Sequence, residues 1–163
     1  MQPRNPHPAV LAVDDEPANL LVIEAVLEPL GYDIRTALDP TAARALMAEE
    51  RPDVLLLDVM IPGESGIEAC RRWRASAEWD GLPIVLLTAL RADDHRAAGL
   101  AAGADDFLEK PIDVDALGRT VARWAATGRR SGPLPAAGDP ASALARAMAR
   151  AAAQRPRPAT NPQ

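Results

Sequence analysis

Asp53-Val54-Leu55-Leu56-Leu57-Asp58-Val59-Met60-Ile61-Pro62-Gly63 is the stretch from which the fold can be read. Four aliphatic residues run without interruption into an acid, and Pro62-Gly63 breaks the chain soon after. Such a run, bounded by turn residues, fits a strand buried on both faces. Asp58 then stands at the carboxyl end of that strand, and in open α/β sheets ligands bind at that edge. Taken alone, the acid could equally open an ordinary loop, so the weight falls on what surrounds it.

Upstream, Val10-Leu11-Ala12-Val13 is a second aliphatic run, and it ends in Asp14-Asp15-Glu16. Pro17 suits a first helical position, Leu20, Leu21, Ile23, Val26, Leu27 and Leu30 recur at helical spacing, and Gly31 supplies a stop. Tyr32 to Leu38 can form a strand. Asp39-Pro40 is a cap and first-turn pair, followed by Ala43, Leu46 and Met47 on one helical face. Downstream of Asp58, Gly66 to Arg74 reads as a helix with Ile67, Cys70 and Trp73 inward. Pro83 opens the run Ile84-Val85-Leu86-Leu87, which ends at Thr88. Asp93 to Ala102 is a helix capped at Asp93-Asp94, with Leu100 inward and Gly103 as its stop. Phe107-Leu108 is a short strand running into Glu109-Lys110-Pro111, and Asp105-Asp106 before it reads as a solvated loop. Asp113 can cap a last helix with Val114, Leu117, Val121 and Trp124 on its apolar side. Strand and helix alternate five times, the pattern of a doubly wound α/β protein with a five-stranded parallel sheet and helices on both faces.

Composition narrows the chemistry. Hydrophobic residues make up 48% of the 163 but aromatics only 3%, so the core must be built from Val, Leu, Ile and Ala. Cys70 is the single cysteine, which excludes an internal disulfide or a multi-cysteine metal site and suits a small buried apolar residue. His7 and His95 lack ligand-like neighbours. No apolar run approaches ~18 residues, and Met1 to Pro8 lacks the apolar stretch of a signal peptide, so a soluble, cytoplasmic protein is expected.

Charge divides the chain. Residues 1–127 hold 12 Arg/Lys against 22 Asp/Glu, a net of −10, while residues 128–163 hold 6 Arg against Asp139 alone, a net of +5. The expected organisation is an N-terminal segment 1–8, one domain over 9–127, and a flexible Pro/Ala/Arg-rich tail over 128–163. That tail lacks the apolar mass to fold alone, although Asp139-Pro140 resembles a helix start and a short helix over 140–154 is an alternative. Of the 18 basic residues only Lys110 is a lysine. A compact ammonium has been kept at one place, where a planar guanidinium does different chemistry.

In a parallel sheet all carboxyl ends share one edge, so Asp14, Asp15, Asp58, Thr88 and Lys110 are expected in one crevice. Carboxylates with one backbone carbonyl make an oxygen-only site suited to Mg²⁺ rather than a soft metal. A lysine and a hydroxyl beside it make an anion site. Together they describe phosphoryl transfer to a carboxylate, with Asp58 as nucleophile.

In this order and on these elements, Val13-Asp14-Asp15-Glu16, Leu57-Asp58-Val59-Met60-Ile61-Pro62, Leu87-Thr88-Ala89, Gly103-Ala104-Asp105-Asp106-Phe107 and Lys110-Pro111 resemble the receiver domains of response regulators in two-component signalling. The resemblance covers roughly residues 9–126. It implies a flavodoxin-like sheet of order 2-1-3-4-5 and a phosphoryl group accepted on Asp58 from a sensor histidine kinase or a histidine phosphotransfer protein. Asp15, Asp58 and the Met60 carbonyl would bind Mg²⁺, with Asp14 supporting the metal through water. Thr88 and Lys110 would hold phosphoryl oxygens, Thr88 and Phe107 would act as the switch pair, and the Lys110–Pro111 bond would be cis. Output would pass to a downstream protein through the 93–126 surface, and phosphorylation-dependent homodimers are among the outcomes the family allows. Met60 and Leu90 flank the acceptor. About 35 residues follow position 128, too few for a further effector domain, so a stand-alone receiver is expected. Direct nucleic-acid contact by the basic tail is the rival reading. It is disfavoured because six arginines without interleaved aromatics give only weak, salt-sensitive binding. An enzyme such as an aspartyl-phosphate phosphatase is not expected, since Asp58-Val59-Met60 lacks a second acid two positions on.

Overall fold

In the computed structural model, which describes residues 7–89 and 93–127 (without the side chains of 93–95), the aliphatic runs form the middle of a sheet. β1 (Ala9–Val13) and β3 (Val54–Asp58) are buried at every position, and β4 (Ile84–Ala89) at every position but the last. β2 (Asp33–Ala37) and β5 (Asp106–Lys110) carry the polar residues and form the half-buried edges. All pairings are parallel and the order is β2-β1-β3-β4-β5, as the alternation and the resemblance imply.

Strand alternation sorts the core into two layers. Leu11, Val13, Leu55, Leu57, Ile84 and Leu86 pack on one face with residues of α2 (Pro40–Glu49), α3 (Gly66–Arg74) and the end of α4 (Asp93–Ala101). Val10, Ala12, Val54, Leu56, Val85, Leu87 and Leu108 pack on the other with α1 (Pro17–Leu27) and α5 (Val114–Thr127). Cys70 is buried within the first layer, as expected of a small apolar residue.

Local signals start and stop these helices where expected. Asp39 accepts from Ala42 N at 2.7 Å and Asp113 from Ala116 N at 2.8 Å. Gly31 and Gly103 take left-handed φ of 89° and 102° at their turns, a conformation glycine adopts without cost. Ser65 and Glu68 form a reciprocal capping box at the start of α3, which the sequence analysis did not single out.

Some details differ. α1 ends at Leu27 and gives way to a 3-10 turn over Glu28–Leu30, where Pro29 cannot donate a helical bond. Leu21 and Leu30 are 64% and 59% exposed, because the face of α1 turned to the sheet is Leu20, Ile23 and Leu27. Val114 is exposed as well, at the first turn of α5, before the stripe of Leu117 and Val121 meets the sheet. The Asp105-Asp106 pair is no solvated loop. Asp105 receives Arg74 and the Ile84 backbone N–H (2.9 Å), and Asp106 opens β5 and receives Trp124 Nε1 at 2.9 Å together with Arg123.

The tail, and with it the short helix weighed over 140–154, residues 1–6 and 90–92 (Leu90 among them), and the side chains of Asp93, Asp94 and His95 lie outside the described residues. Among the described helices none is long and apolar enough to cross a membrane.

Candidate functional site

The carboxyl edge of the sheet gathers the site. Asp14 follows β1, is fully buried, and accepts from Glu16 N (2.9 Å) and Asn19 Nδ2 (3.1 Å). Asp58 ends β3, and its Oδ1 accepts from Met60 N at 3.2 Å. Lys110 ends β5 and reaches both acids, Asp14 Oδ2 at 2.7 Å and Asp58 Oδ2 at 3.1 Å. The peptide bond that follows it, Lys110–Pro111, is cis. Asp15 is exposed, yet its carboxylate and those of Asp14 and Asp58 each offer an oxygen within 4.8 Å of the others.

Two glycines shape the loop after Asp58. Gly63 turns it at φ 87°. Gly66 opens α3 against the Asp58 backbone, where a Cβ would lie 2.1 Å from the Asp58 carbonyl oxygen, so no other residue lets the helix begin this close. The Gly66 N–H bonds the Val59 carbonyl at 3.0 Å. The Met60 side chain stands exposed beside the crevice, as expected.

Three acids answered by one ammonium leave the site electrostatically uneven. Burial first, and then the charge of Asp14, push the Asp58 carboxyl above its ordinary range, while Lys110 pulls the other way. Burial alone would lower the Lys110 ammonium. Its hydrogen bond to Asp14 and the charges of Asp58 and Asp14 outweigh this and raise it, so it stays charged. An all-oxygen cluster with surplus negative charge fits a hard divalent cation such as Mg²⁺.

Thr88 lies at the same carboxyl edge, one residue beyond Leu87, the register partner of Asp58, and Phe107 lies three residues before Lys110 on β5. Thr88 is buried, and its hydroxyl donates a long 3.5 Å bond to the Ala89 carbonyl. The register Leu86↔Phe107 sets Phe107 on the α4 side of the sheet with Leu86, opposite the face of Asp58 and Lys110. Asn19 escaped the reading of the sequence, and Gly66 was read only as the start of a helix, not for its closeness to Asp58. An amide in the turn after Asp14-Asp15 and a glycine directly after a capping serine were the signals available.

Comparison with known proteins agrees with this geometry. The response regulator receiver domain family matches residues 10–122, and the chain belongs to that family. It is 44% identical over 104 residues to the response regulator PleD of Caulobacter vibrioides (strain NA1000 / CB15N), which covers 64% of this chain and 23% of PleD. It is 41% identical over 126 residues to the phosphate regulon transcriptional regulatory protein PhoB of Rhizobium meliloti (strain 1021), covering 77% of this chain and 54% of PhoB. A solved structure of the chemotaxis protein CheY4 of Vibrio cholerae aligns with a TM-score of 0.68 at 32% identity, over 72% of this chain and 98% of that one. The chain thus spans about a quarter to a half of the length of these curated relatives, and is matched in length by CheY4 only through its receiver.

Proposed function

We propose that this chain is a phosphoacceptor switch of a two-component relay, with Asp58 as the acceptor. The observation that carries the reading is the bridge from Lys110 Nζ to both Asp14 and Asp58 at one sheet edge. A phosphohistidine of a sensor kinase or phosphotransfer protein would be the donor. Its N–P bond breaks, a bond forms from phosphorus to an Asp58 carboxylate oxygen, and the histidine leaves with the electron pair. Asp14, Asp15, Asp58 and the Met60 carbonyl would hold Mg²⁺, which when bound neutralises charge on the transferring group. Lys110 and the lightly engaged Thr88 hydroxyl would take phosphoryl oxygens. The chain acts as a cytoplasmic switch rather than a turnover enzyme, and its output passes from the 93–126 surface to a partner protein.

Incubation with acetyl phosphate and Mg²⁺ should add one phosphoryl group, and Asp58→Asn should abolish it, because an amide is not a comparable nucleophile. Undiminished labelling of that variant would overturn the assignment. A second reading has support of its own. Relatives such as PhoB are named as transcriptional regulatory proteins, and residues 128–163 carry a net +5, so the tail would contact nucleic acid directly. A mobility-shift titration at two salt concentrations separates the two, since phosphate-backbone binding falls steeply with salt.

A further inference from the structure

β5 is held differently on its two sides. On the α5 side, Trp124 Nε1 and Arg123 both reach the Asp106 carboxylate, whose other oxygen accepts the Phe107 backbone N–H at 2.8 Å. This latch sits at the residue next to Phe107. On the other side α4 meets β5 through the half-exposed Arg96–Glu109 ion pair and through packing around Gly99, the buried position among the helix's described side chains.

A Cβ built on Gly99 would lie 2.5 Å from Leu86 Cδ1 and 3.0 and 3.1 Å from Phe107 Cε1 and Cζ. The Leu86 methyl most severely, and the ring beside it, together occupy the volume that any side chain at position 99 would need. Leu86 has no exposure, is Phe107's register partner on the neighbouring strand, and shares its apolar layer, so a methyl at 99 that displaces the Leu86 tip pushes into the layer that holds the ring. Glycine weakens a helix interior relative to alanine. Here it stands mid-helix at the point where the aromatic ring lies on the helix backbone.

We infer that Gly99 is a positioning residue for Phe107: the absent side chain is a seat that fixes the ring against α4, so ring rotamer and α4 placement change together. This rests on the receiver reading for its purpose but not for its geometry. A methyl group at 99 closes the seat, forcing the ring off α4 or α4 off the sheet. The Asp14, Asp58 and Lys110 crevice, on the other face, is left as it was.

Phe107 is the only phenylalanine, so ¹³C-phenylalanine labelling of the full chain gives one ring signal set. In Gly99→Ala that signal should shift before any phosphoryl group is added, and amide exchange in α4 should speed up several-fold. Phosphoryl incorporation from acetyl phosphate and Mg²⁺ should stay within about twofold of wild type, and the further ring shift on adding beryllofluoride should be lost. Gly99→Ala/Phe107→Leu, which removes the ring, should recover more than half of any fall in melting temperature and return α4 exchange towards wild type. An unmoved ring signal in Gly99→Ala, or equal destabilisation in the single and double variants, would overturn the inference. Absence of phosphoryl incorporation in the wild type would instead overturn the receiver reading, with the ring signal in phosphoryl-free Gly99→Ala still deciding the seat.

Discussion

Replacing Asp58 with asparagine should raise the melting temperature of the metal-free protein at neutral pH. At an effective dielectric of about 20, charges 4.8 Å apart repel by about 3.5 kcal/mol, and Lys110 at 3.1 Å attracts Asp58 by about 5 kcal/mol. Asp14 contributes at least the first amount, exposed Asp15 a solvent-screened share of it, and burial penalises the Asp58 charge further. Removing that charge forfeits the attraction but ends both repulsions and the desolvation cost, while Lys110 keeps its 2.7 Å bond to Asp14. The balance is a stabilisation of about 1–2 kcal/mol, or roughly 3–10 °C for a domain of this size. The pH dependence follows from the raised Asp58 carboxyl. Such a group favours the fold below its ordinary value of 3.8 and loses that contribution as pH rises through the raised folded value. The lead of the variant should therefore be small near pH 4 and open towards pH 7. Thermal melts followed by circular dichroism in EDTA across that range are the assay. Millimolar Mg²⁺ should then raise the wild type more than the variant, by mass action on the folded state. A variant that melts below the wild type in EDTA at pH 7 would refute the reasoning, and would make the Lys110–Asp58 pair a net structural support.

Three further outcomes are expected. Asp15→Ala should remove most of the Mg²⁺-induced rise in melting temperature, whereas an unchanged rise would place the cation elsewhere. Lys110→Arg should fold and bind Mg²⁺, yet amide exchange over residues 93–126 should respond much less to beryllofluoride, because the planar fork does not reproduce a compact ammonium contact; an equal response at equal occupancy would refute this. Arg74→Met should cost about 3 kcal/mol in urea unfolding, since it removes the guanidinium that answers the largely buried Asp105 charge and the carbonyls of Gly103 and Trp79, each bonded at 2.8 Å. Arg74→Met/Asp105→Leu should recover much of that loss, and a single-variant cost under about 1 kcal/mol would contradict the assignment.

Much of this was legible in the chain because its decisive signals are local. Short aliphatic runs bounded by turn residues read as central strands, and acids or a lysine placed directly after them inherit the sheet's carboxyl edge. What was missed depends on distance in sequence. Asp105-Asp106 read as solvated because two adjacent acids give no hint of Arg74, 31 residues away, or of Trp124, 18 away. Leu21, Leu30 and Val114 share a helical period with the core, and period alone does not say which of two neighbouring stripes faces the sheet. Gly99 reads as a weak point in a helix until Phe107 is seen against it.

The same alternation explains how a change at the crevice can emerge on the other face. Asp58 pairs with Leu87, and Val59 N–H bonds the Leu87 carbonyl at 3.0 Å; the next residue, Thr88, is the register partner of Glu109. On β5, Lys110 faces the crevice and Glu109, the partner of Thr88, faces the α4 side. On β5 the two faces of the sheet are thus one residue apart, at Lys110 and Glu109. A phosphoryl group adds roughly two negative charges there, and it can shift the far face only by the difference in contacts between two arrangements. With β5 latched to α5 through Asp106, α4 would be the element with contacts to exchange on phosphorylation, and the seat inferred for Phe107 on Gly99 would be where that exchange is made.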